Sequence, residues 1–129
     1  MPKIFTYNKQ EKLKSRKLLE ELFAQGNSFV VHPIKVNFLL VENNTFKTSV
    51  QIGVGVSKRN FKKATDRNRI KRLIRESYRL HKLPLHQHIK STNKQIAVFL
   101  LYIDKELPQL STLQIKMPFI IEKLIKQIN

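Results

Sequence analysis

In the first half of the chain, apolar and polar residues alternate over two stretches, and this two-residue period predicts β-strands. The first stretch covers residues 28–41, and Pro33 within it indicates a bend, an edge position or a split into two strands. The second covers residues 49–56, where Gly53 and Gly55 lie on the face opposite the valines. These glycines either leave that face open to close approach or mark a bulge, and the pattern does not decide between the two.

A period of 3.6 residues predicts helices near both ends of the chain. The first spans residues 16–25, with Ser15 as its N-cap and Gly26 at its end. The last spans about residues 111–128, although Pro118 favours a bend or a start only two residues before that proline.

A further helix is predicted in the middle of the chain, over residues 67–82. Thr65 or Asp66 would act as its N-cap, and Pro84 prevents its continuation. The polar residues 85–93 that follow are predicted to be irregular.

The order of predicted elements is α-β-β-α-β-α, because a third, almost continuously apolar strand follows at residues 95–102. This order predicts an α+β fold in which helices pack against one small sheet. The length of 129 residues suits a single domain, with residues 1–12 as a loose N-terminal arm and residues 42–45 as a turn.

Composition narrows the class of protein further. Cysteine is absent, which excludes disulfides, thiol catalysis and cysteine-based metal sites. No apolar run approaches the ~18 residues of a membrane span, and the N-terminal residues lack the apolar block of a signal peptide. We therefore expect a cytoplasmic protein with no membrane partner.

The charge is strongly positive and concentrated in one part of the chain. Lys and Arg number 25 against 9 Asp and Glu, which gives a formal net charge of +16. Residues 55–82 alone hold eleven basic and two acidic residues, so nine of the sixteen net charges lie in this segment. Such a surface is suited to a polyanion.

One face of the helix at 67–82 is predicted to be a basic ridge. With about 100° between successive residues, Asn68, Lys71, Arg72, Arg75, Arg79 and Lys82 gather opposite the apolar side, flanked by Arg67 and Arg69. Because arginine binds phosphate through two hydrogen bonds, the ridge predicts nucleic-acid binding. The alternatives are a solvated helix face, which usually mixes charge signs, and a membrane-lying helix, which usually carries Trp or Phe on its apolar stripe.

Side-chain chemistry for catalysis is sparse. His86 and His88 have no carboxylate or cysteine nearby to complete a zinc site, so both are predicted to be solvated loop residues. Asp66 most simply caps its helix and alternatively helps to hold a metal ion near RNA. The sequence has no glycine-rich phosphate loop, no nucleophile elbow and no acidic cluster for two magnesium ions. We therefore predict neither a catalytic side chain nor a metal site.

The order of motifs resembles a known family. An Arg-Asn-Arg helix at residues 67–76 follows a strand end at residues 56–58, Leu13 precedes the first helix, and Phe23 and Gly26 lie at the end of that helix. This arrangement is similar to the protein subunit of bacterial ribonuclease P over most of the chain. The resemblance implies an α-β-β-β-α-β-α domain with a mixed four-stranded sheet packed by helices, like ribosomal protein S5 domain 2, and a left-handed βαβ crossover.

The resemblance also implies a function. In that family a catalytic RNA, with Mg²⁺ bound mainly by the RNA, hydrolyses precursor tRNA to release its 5′ leader, and the protein assists. The implied partners are ribonuclease P RNA and precursor tRNA, with no obligate protein partner. The predicted RNA-binding residues are Ser57, Lys58, Arg59, Lys62, Lys63, Arg67, Asn68, Arg69, Lys71, Arg72, Arg75 and Arg79.

The same resemblance implies that the single-stranded leader lies in a cleft between the sheet and a helix. The residues predicted to line this cleft are Phe23, Asn37, Phe38 and Val56. Phe61 and Tyr78 are further aromatic candidates, and the choice matters because stacking is worth about 1–3 kcal/mol per base.

Two other functions are compatible with a basic RNA-binding surface. A ribosomal or general RNA-binding protein would show no preference for precursor over mature tRNA. A self-sufficient nuclease would cut in the absence of any RNA subunit, although the lack of an acidic cluster argues against it.

Overall fold

The computed structural model describes residues 12–13, 15–42 and 48–128; most of the predicted arm and turn (residues 1–11 and 43–45) lies outside them. The described residues form an α+β fold of four helices and a mixed four-stranded sheet. In chain order the elements are α1 (Arg16–Gln25), β1 (Asn27–Val31), β2 (Ile34–Glu42), β3 (Val50–Val56), α2 (Ala64–His81), α3 (Leu83–Ser91), β4 (Lys94–Tyr102) and α4 (Leu110–Ile128).

The sheet has the strand order β1-β2-β4-β3, so β4 is central. β1 and β2 are antiparallel, and so are β2 and β4, whereas β3 runs parallel to β4. The chain reverses at His32 and Pro33, which confirms the split into two strands that Pro33 left open. The hand of the connection from β3 to β4 stays a prediction.

Helices cover both faces of the sheet and create two separate cores. α2, α3 and α4 bury the larger core, to which β2 contributes Ile34, Val36 and Phe38. α1 lies on the opposite face and buries a smaller cluster around Leu22 and Ala97. In the part of the chain that the structure describes, no helix covers the rest of that sheet face.

α1 matches its prediction at both ends. The Ser15 hydroxyl accepts a hydrogen bond of 3.2 Å from the Leu18 amide, as an N-cap should. Gly26 has an extended backbone with φ of −75°, so it is not needed there for a left-handed conformation. It is needed for space, because a Cβ at this position would lie 2.7 Å from the carbonyl oxygen of Phe38.

α2 begins three residues earlier than predicted, at Ala64, and its N-cap is Lys63, which makes no side-chain cap bond. The prediction of Thr65 or Asp66 as cap is therefore wrong, since both lie in the first turn. The Asp66 carboxylate is still favourably placed, because helix N-termini attract negative charge. Lys82 was predicted on the exposed ridge but is only 3% exposed, because α3 begins directly after it.

Residues 83–91 form α3, so the prediction of an irregular segment is wrong. Leu85 and Ile89 lie four residues apart on its buried face and are both 0% exposed. Pro84 lies in the first turn, where its missing N–H costs no hydrogen bond. α3 also adds one helix to the element order that the family resemblance implied.

α4 begins at Leu110 and continues through Pro118, so the later start is wrong. Its predicted inward face is confirmed: the buried residues are Leu113, Met117, Ile120, Ile121 and Leu124. In the part of the chain that the structure describes, no helix is both long enough and apolar enough to cross a membrane.

Candidate nucleic-acid interface

The basic loop between β3 and α2, residues 57–63, is anchored in the core rather than loosely attached. The Ser57 hydroxyl accepts a hydrogen bond of 3.2 Å from the Arg59 amide, which fixes the turn after β3. Phe61 is only 6% exposed, and its ring centre lies 6.0 Å from that of Tyr102. The loop backbone is therefore held in place while its cationic side chains point to solvent.

Arg67 holds the far end of the same loop. Its Nη1 atom donates hydrogen bonds of 2.8 Å to the carbonyl oxygens of both Phe61 and Lys62. The guanidinium thus ties the first turn of α2 to the loop. Arg67 was predicted only as an RNA contact, and the structure adds this role within the protein.

The exposed cations of the loop and of α2 form one continuous basic surface. On α2, Asn68, Arg69, Arg72 and Arg75 are exposed, whereas Lys71 and Arg79 are half-buried. We call the seven exposed cations the loop–ridge surface; they are Lys58, Arg59, Lys62, Lys63, Arg69, Arg72 and Arg75. Ser57, beside them, is half-buried.

Arg79, also predicted to contact RNA, is engaged within its own helix. Its Nη2 atom lies 2.5 Å from Oε1 of Glu76, and Nε donates a second bond of 3.2 Å to Oε2. The hydrogen bond from Arg79 lowers the pKa of Glu76 below its ordinary value, and the same bond raises the pKa of Arg79. The ion pair neutralises charge at this end of α2, so the positive surface is strongest toward the N-terminus of the helix.

The uncovered part of the sheet lies on the face that carries α1. Two rows of side chains cross the four strands there, at the end farther from the α1 cluster. We call these rows the open strip; they consist of Ser28, Asn37, Phe99 and Gly53 in one row and Val30, Lys35, Leu101 and Gly55 in the other. Every member of the strip is exposed or half-buried.

Phe99 is the central side chain of the open strip. A Cβ at Gly53 would lie 2.9 Å from its ring, and a Cβ at Gly55 would lie 2.5 Å from its ring. The pairing of β3 with β4 is regular at both glycines, so they do not mark a bulge. The glycines instead give the Phe99 ring room to lie across β3, which answers the question that the sequence left open.

Phe23 of α1 extends this aromatic surface. Its ring meets that of Phe99 edge to face, with 5.3 Å between the centres, and the side chain is 57% exposed. Sequence reasoning missed Phe99 because the almost continuously apolar strand at residues 95–102 gives no sign of which side chain is exposed. The two glycines of β3 were the signal of a bulky neighbour, but only the strand register shows which residue it is.

The residues predicted to line a leader cleft divide between the two sheet faces. Phe23 and Asn37 lie on the face of the open strip. Phe38 is 2% exposed and packs against Phe29 in the larger core, and Val56 also packs against that core. The prediction for Phe38 is therefore wrong, because consecutive strand residues such as Asn37 and Phe38 point to opposite faces. Val56 is half-buried and alternates with Gly55 of the strip, so the structure does not place it in one cleft with Phe23 and Asn37. The further candidates, Phe61 and Tyr78, are also buried.

His86 lies in α3 and is half-buried, so its prediction as a solvated loop residue is wrong. Its Nε2 atom lies 2.7 Å from the hydroxyl of Tyr78. Burial, with smaller effects of Lys82 and Lys90, lowers the pKa of His86 to about 4. Within residues 12–13, 15–42 and 48–128, no three His, Asp or Glu side chains cluster closely enough to hold a metal ion.

The fold and these surfaces define a class of protein: a small α+β domain with a strongly basic surface beside an open aromatic sheet face. A model of the family Ribonuclease P matches residues 7–123. The chain is 33% identical over 113 residues to the ribonuclease P protein component of Porphyromonas gingivalis, covering 88% of this chain and 82% of that protein. The chain belongs to the ribonuclease P protein family.

Solved structures agree with this assignment. The ribonuclease P protein of Staphylococcus aureus is 25% identical, with a TM-score of 0.65 and coverage of 94% of this chain and 100% of that one. The ribonuclease P protein of Thermotoga maritima is 23% identical, with a TM-score of 0.66 and coverage of 88% and 96%. The second likeness is one of fold.

Proposed function

We propose that this chain is the protein subunit of ribonuclease P, which binds the catalytic RNA and the 5′ leader of precursor tRNA. Family membership makes it a component of an endoribonuclease that acts in tRNA 5′ processing. The observation that carries the rest is the loop–ridge surface, whose backbone is fixed by Phe61 and by the two hydrogen bonds from Arg67.

The loop–ridge surface would bind the catalytic RNA. Its seven exposed cations are enough for an interface of the kind that loses about 10³–10⁵-fold in affinity between 50 and 200 mM salt. The fixed loop presents its cations with little ordering cost on binding. In this proposal the RNA carries out the hydrolysis with Mg²⁺ that it binds itself, and the protein contributes positive charge and position.

The open strip would bind the leader. Phe23 and Phe99 offer faces and edges on which bases stack, and such stacking tolerates any base sequence. Lys35 and Asn37, adjacent on the strip, supply a cation for a phosphate and an amide for a hydrogen bond. The leader site would thus contain Phe99 and exclude Phe38 and Val56.

The decisive experiment is cleavage of precursor tRNA by the catalytic RNA, measured over a series of Mg²⁺ concentrations with and without the purified protein. We expect the protein to cut nothing alone and to lower the Mg²⁺ concentration that the RNA requires. Equal stimulation by a general basic protein of the same net charge, or no preference for precursor over mature tRNA, would contradict the proposal and favour general RNA binding.

A further inference from the structure

A second combination of aromatic and cationic side chains lies across the edge strand β1 from the open strip, where α4 packs against β1. A cavity of about 410 Å³ is lined there by Val31, Phe119, Glu122, Lys123 and Lys126. We call these five residues the α4–β1 patch. Phe119 is 58% exposed, and Lys123 lies over the Phe29 ring, with 5.1 Å between Nζ and the ring centre.

The chemistry of the patch is complementary to single-stranded RNA. An exposed phenyl ring offers a stacking surface for a base, and lysines beside it offer charge for the flanking phosphates. Glu122 is its one acidic member, and its carboxylate lies 3.3 Å from the ammonium of Lys126. The patch therefore keeps a net positive charge on Lys123, which lies over the Phe29 ring and lines the same cavity as Phe119. A protein partner with an apolar face would not need this charge.

The patch is continuous with the open strip around one edge of the sheet. β1 is an edge strand, and its consecutive residues Val30 and Val31 point to opposite faces. Val30 belongs to the strip and is 50% exposed, whereas Val31 lines the cavity beside Phe119. An RNA strand that leaves the strip over Val30 thus meets the patch as soon as it has passed the edge.

We propose that the α4–β1 patch binds the 5′-distal part of the precursor's leader, beyond the nucleotides held on the open strip. This inference rests on the proposed function, because it requires the leader to lie on the strip. It adds a second leader contact, formed by Phe119 and Lys123, that only a long leader can reach. Affinity for precursor tRNA should then depend on leader length through these two residues.

The test compares two precursors bound by the complex of the protein with the catalytic RNA. Their leaders have about 4 and about 16 nucleotides, the range of site sizes known for one single-strand-binding OB fold, which is a domain of comparable size. Phe119→Ala and Lys123→Ala should each weaken binding of the long-leader precursor about fivefold or more. Both should leave binding of the short-leader precursor unchanged. Phe119 is exposed, so Phe119→Ala should keep the wild-type melting temperature. Lys123→Ala also removes the contact with the Phe29 ring, so it should lower the melting temperature by a few degrees at most and stay folded.

Two control variants sharpen the result. Glu122→Gln removes the negative charge of the patch and should tighten binding of the long-leader precursor. Lys90→Ala removes a cation from α3 that is exposed like Lys123. It should leave the binding of both precursors unchanged. A loss of affinity that is equal for both leaders would overturn the inference, because the patch would then contact another part of the RNA.

Two further outcomes would also overturn the inference. Unchanged affinity for both precursors is one of them. The other is that the wild-type chain self-associates in sedimentation while the Phe119→Ala and Lys123→Ala variants do not, with their RNA affinity intact. The patch would then be a protein interface. Failure of the proposed function gives a different result: the wild-type chain would not stimulate the catalytic RNA with either precursor. Failure of the inference alone leaves that stimulation intact and removes only the effect of leader length.

Discussion

The loop–ridge surface and the open strip differ in how each is held in position. In the loop, an anchored backbone presents exposed charged side chains, and the fixed parts are Phe61 and the carbonyl oxygens bound by Arg67. In the strip, the binding element is itself a fixed ring, because Phe99 lies in space that two glycines vacate. One surface depends on charge and the other on shape, so salt and substitutions should affect them differently.

The largest expected effect is on RNA binding by the loop–ridge surface, which depends on charge. A variant with Arg69, Arg72 and Arg75 all changed to alanine should lose about a hundredfold in affinity for the catalytic RNA. The slope of log affinity against log salt should become less steep by about 2–3. Binding titrations at several salt concentrations measure both. Lys90→Ala is the single-charge control, and an unchanged slope in the triple variant would place the RNA elsewhere.

The next effect concerns the core beneath α2, where His86 meets Tyr78. The pKa of His86 falls from 6.5 to about 4 on folding, so between these pH values the unfolded chain binds a proton that the folded chain does not. Stability is therefore full above pH 6.5 and falls as the pH decreases toward 4, by about 2–3 kcal/mol. Urea unfolding at a series of pH values measures it.

His86→Gln is the control for this pH dependence. It removes the titrating ring, so the decline between pH 6.5 and 4 should become shallower while the variant stays folded at neutral pH. An unaltered decline in the variant would show that other groups carry it.

Gly55→Ala tests the shape of the strip. The new Cβ would lie 2.5 Å from the Phe99 ring, so the ring must move, at a cost of about 1–2 kcal/mol in stability. Leader affinity should fall while the salt slope stays unchanged. Adding Phe99→Leu should restore stability but not leader affinity. If Gly55→Ala alone leaves both properties at wild-type values, the glycine does not position the ring.

The smallest effect distinguishes two arginines of one motif. Arg67→Ala removes both hydrogen bonds to the loop and should cost about 1 kcal/mol of stability, whereas Arg69→Ala should cost close to none. Both should weaken RNA binding, Arg67→Ala partly by releasing the loop. Thermal unfolding of the two variants measures the difference, and equal melting temperatures would show that the hydrogen bonds add no stability.

Local patterns predicted most of the fold. The bounds of α1, the strand at β3 and the buried face of α4 followed from hydrophobic spacing and from capping residues. α3 was missed because only Leu85 and Ile89 mark its buried face, which is too few for a periodic signal. The cap of α2 was misplaced because Lys63 caps it without a side-chain bond.

The candidate site was predictable where it depends on charge and not where it depends on register. The exposed arginines of α2 follow from helical spacing alone. Phe99 packs beside Gly53 and Gly55 because β4 lies between β2 and β3 in the sheet. No local sequence pattern indicates this strand order. The error at Phe38 was avoidable, since strand alternation already separates it from Asn37.

The concentration of cations on the loop–ridge surface has a consequence for the protein without RNA. Like charges fixed close together repel one another, and a net charge of +16 adds to that repulsion over the whole surface. Added salt should therefore raise the melting temperature of the free protein while it weakens the complex with RNA. Bound RNA would reduce the same repulsion, because its phosphates neutralise cations that face one another in the free protein.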